Sequence, residues 1–164
     1  MEKQQVFVYQ EYERPEELDP LDRELLTAAR EALKSSYSPY SNYKVGAAVR
    51  LKDGNIFPGS NQENMAFPSS LCAERVACFS ASAAKPGIPV AAVAITAKSA
   101  GFSVDRPVTP CGGCRQVLME YEKLYNQKIR VIMMGETGSV LVVESIDQLL
   151  PFSFDERKLQ KNNS

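Results

Sequence analysis

The chain contains no histidine, and its cysteines fall into two remote groups. Cys72 sits in Cys72-Ala73-Glu74-Arg75, and Cys111 and Cys114 in Pro110-Cys111-Gly112-Gly113-Cys114. If these three thiols serve one metal ion, the fold must bring both segments to within roughly 4 Å, the spacing between ligands of a tetrahedral zinc. Three soft thiolates beside a carboxylate form the donor set of a catalytic zinc site with one coordination position left open. Four cysteines in a chain of this size, two of them in a C-x-x-C pair, point to metal ligation in a reducing compartment rather than to a disulfide framework.

The remaining cysteine tests that reading. Cys78 lies six residues along a helix from Cys72, about 9 Å of rise and on another face, so it is expected to be a core thiol and not a fourth ligand. Cys111-Gly112-Gly113-Cys114 alone also fits a redox dithiol, and the three cysteines together also fit a purely structural zinc with a fourth ligand from elsewhere. Glu74 separates these readings. Two positions beyond a ligand, it is near enough to take a proton from a metal-activated water without ligating the metal, although a glutamate in a first helical turn also serves as a dipole partner.

Local patterning predicts where these groups sit. Asp19-Pro20 is a helix start, followed by Leu21, Leu25, Leu26, Ala29 and Leu33 at helical spacing and an end near Ser36. Tyr37 to Asn42 reads as an aromatic loop. Lys52-Asp53-Gly54 between 43–51 and 55–60 is a hairpin signal. A helix carrying Cys72 and Glu74 runs towards Lys85 and stops at Pro86-Gly87, and 90–97 is a strand apolar on both faces. A second unit repeats the plan, with a helix from Cys111 to about Asn126, strands at 129–134 and 140–143, and a short helix at 145–150. Helices alternating with buried strands imply an α/β sheet, with both cysteine groups at helix N-termini whose unpaired N–H groups favour thiolates. Residues 1–18 read as an N-terminal extension in which Val6, Val8 and Gln10 form a short strand or an arm, residues 19–154 as one domain, and 155–164 as a polar tail.

Charge narrows the partners. With 19 basic and 20 acidic side chains among 164 residues, the formal net charge of −1 offers no global attraction to nucleic acid or anionic membranes. No stretch approaches the roughly 20 apolar residues of a membrane span, and the first residues lack a secretory pattern. A cytoplasmic protein acting on a small molecule is expected. Three thiolates around Zn²⁺ leave a formal charge of about −1, and Arg75 is the cation placed to offset it by hydrogen bonding the ligand sulfurs.

Beyond the metal motifs, Tyr37-Ser38-Pro39-Tyr40-Ser41-Asn42-Tyr43-Lys44-Val45-Gly46-Ala47-Ala48, Gly59-Ser60-Asn61-Gln62-Glu63-Asn64, Arg115-Gln116 and Leu149-Leu150-Pro151 stand in fixed order. Over roughly 21–154 the chain resembles the small three-cysteine cytidine deaminases that act on free nucleosides. The resemblance implies a three-layer α/β/α cytidine deaminase-like fold with a five-stranded mixed sheet. It also implies one Zn²⁺ per subunit on Cys72, Cys111 and Cys114, a homotetramer, and hydrolytic deamination of cytidine and deoxycytidine in pyrimidine salvage. Glu74 would be the catalytic proton shuttle between water, N3 and the departing ammonia. Asn61 and Glu63 would hold the sugar hydroxyls, Tyr43 would pack on the base, and the backbone of Ala73 would contact it. Phe67 stands where many members carry a tyrosine that reaches a neighbouring subunit's sugar site. Phe154, with Phe152 as the alternative, matches a phenylalanine that closes over the base from another subunit. A deaminase of a nucleoside analogue such as blasticidin S, and a non-catalytic zinc-stabilised binding module, remain as rival readings.

Overall fold

Asp19 accepts hydrogen bonds from the backbone N–H groups of Leu21 (2.9 Å) and Asp22 (3.0 Å), and with Pro20 behind it this cap starts helix α1, Pro20–Ala32. Leu25, Leu26 and Ala29 are fully buried along one stripe, while Leu21, in the first turn, faces out. Each buried leucine contributes about 1.5–3 kcal/mol of apolar burial. One further turn, Leu33–Ser35, brings the helix to the expected end. The computed structural model describes residues 1–154; the polar tail at 155–164 lies outside the described residues.

Strands β1 (Gln10–Tyr12), β2 (Tyr43–Leu51), β3 (Ile56–Ser60), β4 (Val90–Ser99), β5 (Arg130–Met134) and β6 (Val140–Val143) form one mixed sheet in the order β1-β6-β5-β4-β2-β3. The β2–β3 hairpin turns at Lys52-Asp53-Gly54 as expected, with Gly54 at φ 85° and the Asp53 carboxylate accepting from the Asn55 N–H at 3.1 Å. Among the described strands only β4 and β5 run parallel, joined by helix α3 (Gly112–Tyr125); helix α2 (Ala73–Ala84) connects β3 to β4. The other neighbours are antiparallel.

Among the described residues the sheet has six strands, not the five expected from the resemblance. The sixth comes from the N-terminal segment: Gln10, Glu11 and Tyr12 pair with Val142, Leu141 and Val140. Without β1, the apolar strand β6 would be an open sheet edge, and a short polar strand is a common way to cover one.

Alternation along the central strands divides the core into two layers. Val93 and Ile95 of β4 join Val131, Met133, Ala77 and Leu118 in the layer under α2 and α3. Ala92 and Ala94 face the other way and pack with Ala48, Ile132, Leu25 and Ala29 under α1. This is the expected three-layer α/β/α arrangement, and it explains why 90–97 is apolar on both faces. A buried ion cluster ties the α1 face together: the Asp22 carboxylate, 1% exposed, lies 2.7 Å from Arg130 Nε and 3.6 Å from Arg50 Nη2. Arg130 also pairs with Glu144. Burial pushes the Asp22 carboxyl above its ordinary range, and Arg130 opposes that shift.

Candidate metal centre and adjoining pocket

Both cysteine groups occupy helix starts. Cys72 is the residue preceding α2 and Cys111 the residue preceding α3, each with extended backbone that leaves the side chain at the helix N-terminus, while Cys114 lies inside the first turn of α3. The sheet order sets α2 and α3 on the same face, so their N-termini converge. Cys72 Sγ lies 3.8 Å from Cys111 Sγ, Cys111 Sγ lies 3.6 Å from Cys114 Sγ, and all three sulfurs fall within 4.8 Å of one another. A tetrahedral zinc with bonds of about 2.3 Å needs sulfurs about 3.8 Å apart, so the donor set fits that metal in chemistry and spacing. Cys78 is fully buried among Ala77, Ala81 and the strands, and burial pushes its thiol up to about 12. As expected from its position, it lies outside the triad.

The triad's own electrostatics favour one thiolate before any metal binds. A hydrogen bond from the Cys114 thiol, with help from Arg75 and against the effect of burial, brings Cys72 down to about 5. Cys114, the donor in that pair and buried, moves up. Arg75 Nη2 reaches Cys72 Sγ at 3.5 Å and the Ser70 carbonyl at 3.4 Å, which puts the guanidinium where a counterweight to an all-thiolate site is needed. Its Nε is buried and has no hydrogen-bond partner among the described residues. Glu74 is 4% exposed, and burial, reinforced by the Cys72 thiolate, raises its carboxyl above the usual range.

A cavity of about 300 Å³ opens beside the sulfurs, and Cys72, Cys111 and Glu74 line it together with Tyr43, Asn61 and Glu63. Six sequence-predicted residues from four segments therefore meet at one cavity, with Cys114 completing the sulfur triad. Ala73 is fully buried at the start of α2 and does not line the cavity with its side chain. Phe67 and Phe154 lie outside the cavity lining, 70% and 62% exposed; Phe67 packs edge-on against Tyr40 at 5.7 Å, and Phe152 is more exposed still.

The polar end of the cavity is held by groups that sequence reasoning missed. Asn61 Oδ1 accepts from the Val45 N–H (2.8 Å) and the Ser36 hydroxyl (2.6 Å), and Nδ2 donates to the Tyr43 carbonyl (2.9 Å), leaving one amide N–H for a ligand. The Glu63 carboxylate accepts from the Ser41 hydroxyl and from the N–H groups of Tyr40 (2.9 Å) and Ser41 (3.3 Å), which hold its carboxyl below the ordinary value, the serine hydroxyl foremost. Val45, Leu71 and Val108 supply the apolar walls, and Gln62, Ser70 and Thr109 complete the lining. Val108 and Thr109 stand just before Pro110-Cys111, and that adjacency was the one available signal for them.

The family model described as "Cytidine and deoxycytidylate deaminase zinc-binding region" matches residues 20–129. A cytidine deaminase of Halalkalibacterium halodurans is 36% identical over 135 residues, covering 82% of this chain and 95% of that protein. One of Sporosarcina psychrophila is 35% identical over 136 residues, covering 82% and 92%. Among solved structures, cytidine deaminase from Burkholderia pseudomallei superposes with a TM-score of 0.69 at 41% identity over 80% of this chain and 97% of that one. Cytidine deaminase from Mycobacterium tuberculosis gives 0.64 at 28% identity over 85% and 99%.

Proposed function

The chain belongs to the cytidine deaminase family, and on that premise we propose how its residues divide the work of a zinc-dependent hydrolysis of cytidine to uridine and ammonia. Zinc held by Cys72, Cys111 and Cys114 supplies, when bound, a Lewis acid that acidifies the attacking water. Glu74, buried next to the sulfurs with its carboxyl raised, takes one proton of that water as its oxygen bonds to C4 and delivers it to N3 of the pyrimidine, then moves the remaining proton of the new hydroxyl to the amino group, which leaves C4 as ammonia. A raised pKa suits a group that must both accept and give a proton near neutral pH.

Asn61 and Glu63 hold the sugar hydroxyls, the first with its remaining amide N–H and the second as a charged acceptor preset by Ser41 and Tyr40. Tyr43 packs on the base, and the Ala73 backbone at the head of α2 contacts it. Arg75 balances the charge of the thiolate set through Cys72. The observation that carries a nucleoside substrate is the charge of the cavity. Its described lining includes Glu63 and Glu74 but no lysine or arginine, so a substrate phosphate would meet carboxylates without a cation to pair with. Cytidine and deoxycytidine are both proposed as substrates, and the reaction then belongs to pyrimidine salvage.

Three further proposals concern assembly, domain bounds and location. Phe67 and Phe154 leave large rings in water on the isolated chain, which supports a homotetramer in which they reach the sugar and the base of neighbouring copies. The catalytic domain is 19–154, and the 1–18 extension contributes a strand but no cavity residue among those described. The three ligand thiols must stay reduced, which suits the cytoplasm; no described helix is long and apolar enough to cross a membrane. Zinc-loaded protein incubated with cytidine, deoxycytidine, CMP and blasticidin S, with ammonia release and the ultraviolet spectrum followed, tests the reading. Turnover of both nucleosides and little of CMP is expected. No turnover of either nucleoside overturns it, and a preference for CMP replaces the nucleoside by a nucleotide.

A further inference from the structure

Residues 149–154 run beside α3 and are fastened to it by three of its side chains. Arg115 donates from Nε to the Pro110 carbonyl (2.8 Å) and from Nη1 to the Leu149 carbonyl (3.0 Å), so one guanidinium spans the approach to Cys111 and the C-terminal segment. Lys123 Nζ donates to the Ser153 hydroxyl at 2.9 Å. The closest fit is at Gln116, two residues after Cys114: its Nε2 donates to the Phe154 carbonyl at 3.2 Å, and its Oε1 accepts from the Phe154 N–H at 3.0 Å. One side-chain amide thereby pairs with both backbone groups of one residue, as a neighbouring strand would.

Stability alone gives this pairing little purpose. Both bonds are exposed, where water competes with them, and the Phe154 ring they hold stays largely in solvent. What the pairing does fix is the place of the Phe154 backbone relative to α3 and the rest of the domain. We propose that Gln116 is a positioning residue for the deamination: it sets Phe154 at a fixed height on α3, so that the ring is presented already ordered to the pyrimidine of a nucleoside bound by a neighbouring copy. This rests on the reading of Phe154 as the residue that closes over the base. The ordering cost of a free segment would otherwise be drawn from substrate affinity.

Glutamine is the side chain the geometry requires. Glutamate at the same position keeps the acceptor for the Phe154 N–H but faces the Phe154 carbonyl with a charge and no donor, and methionine keeps the length while losing both bonds. The test compares Gln116→Met, Gln116→Glu, Phe154→Ala and the double variant Gln116→Met/Phe154→Ala, with zinc content, melting temperature, kcat and KM for cytidine measured on each.

Expected is a rise in KM on the order of fivefold to tenfold for Gln116→Met and for Phe154→Ala, a smaller change in kcat, full zinc content, and a double variant no worse than Phe154→Ala, because coupled residues do not add. Gln116→Glu falls between Gln116→Met and the parent. Effects that multiply in the double variant, or a Gln116→Met enzyme with the parent KM while Phe154→Ala raises it, overturn this inference and leave the role of Phe154 standing. Loss of zinc or a lower melting temperature without a KM effect marks a structural residue and also overturns it. An unchanged KM in Phe154→Ala removes the reading on which the inference rests, and the inference with it.

Discussion

Gly59 lies on β3 with α2 directly against it. A methyl built at this position would sit 2.4 Å from the Ala77 nitrogen and 2.7 Å from the Ala73 carbonyl oxygen, both backbone atoms of α2. Backbone cannot swing aside as a side chain can, so Gly59→Ala forces α2 away from the sheet by about 1 Å to restore ordinary contact. Overpacking of this kind costs about 1–3 kcal/mol. For a chain of this size that corresponds to a fall in melting temperature of roughly 3–10 °C. The functional loss should exceed the loss of stability, because Cys72, Glu74 and Arg75 ride on the first turn of the displaced helix. A 1 Å misplacement of reacting groups costs on the order of 10²-fold in rate. Gly101→Ala is the matched control: the nearest atom to its added methyl is Ser99 Oγ at 3.9 Å, so a change within about 0.5 kcal/mol is expected. Scanning calorimetry and steady-state deamination of cytidine on both variants read the outcome. A Gly59→Ala protein with the parent melting temperature and parent kcat/KM would refute the claim that close backbone contact between β3 and α2 sets the position of the site.

The other expectations concern the sulfurs and their neighbours. Arg75→Gln removes the cation 3.5 Å from Cys72 Sγ and should weaken zinc binding by about 10–100-fold, read by competition with a chelator; an unchanged affinity contradicts the counterweight role. Cys78→Ala should retain one zinc per chain by atomic absorption, since Cys78 is a core residue, and loss of the metal would show that the triad has been misassigned. Zinc added to the metal-free protein at neutral pH should release at least the proton held by Cys114, whose thiol is raised, while Cys72 at about 5 is already ionised. Calorimetry in buffers of different ionisation enthalpy detects that release. The sign follows directly: protons compete with the metal for sulfur, so zinc affinity falls as the pH falls.

Much of this architecture is written in local signals. Asp19-Pro20 starts α1, Lys52-Asp53-Gly54 turns the first hairpin and Pro86-Gly87 ends α2, because each depends on a few adjacent residues. The sulfur triad was legible for a related reason: the C-x-x-C spacing and a second cysteine at a helix start leave few geometries that satisfy both. Contacts made only across the fold were not legible. The sixth strand exists because β6 offers an open edge to Gln10–Tyr12; the sequence suggests a short strand or arm at Val6, Val8 and Gln10, but Val6 and Val8 lie outside the strand and nothing local names its partner. Asp22 reads as an ordinary first-turn acid, yet it is buried against Arg130, 108 residues away. Ser36 and Ser41 hold Asn61 and Glu63 only because the 36–42 loop folds over the hairpin, a placement that turn residues alone do not specify. Phe67 and Phe154, whose roles came from resemblance, stand outside the cavity of the single chain, and the roles proposed for them require a neighbouring copy.

In the proposed reaction a buried carboxylate beside the three sulfurs that would hold zinc carries the proton. Glu74→Gln keeps the shape of the side chain and removes its capacity to accept a proton. Zinc content and cytidine turnover measured on the same preparation test that role. One zinc per chain with turnover reduced by about 10²–10⁴-fold is the predicted result. A zinc-loaded Glu74→Gln enzyme that deaminates cytidine at close to the parent rate would contradict it.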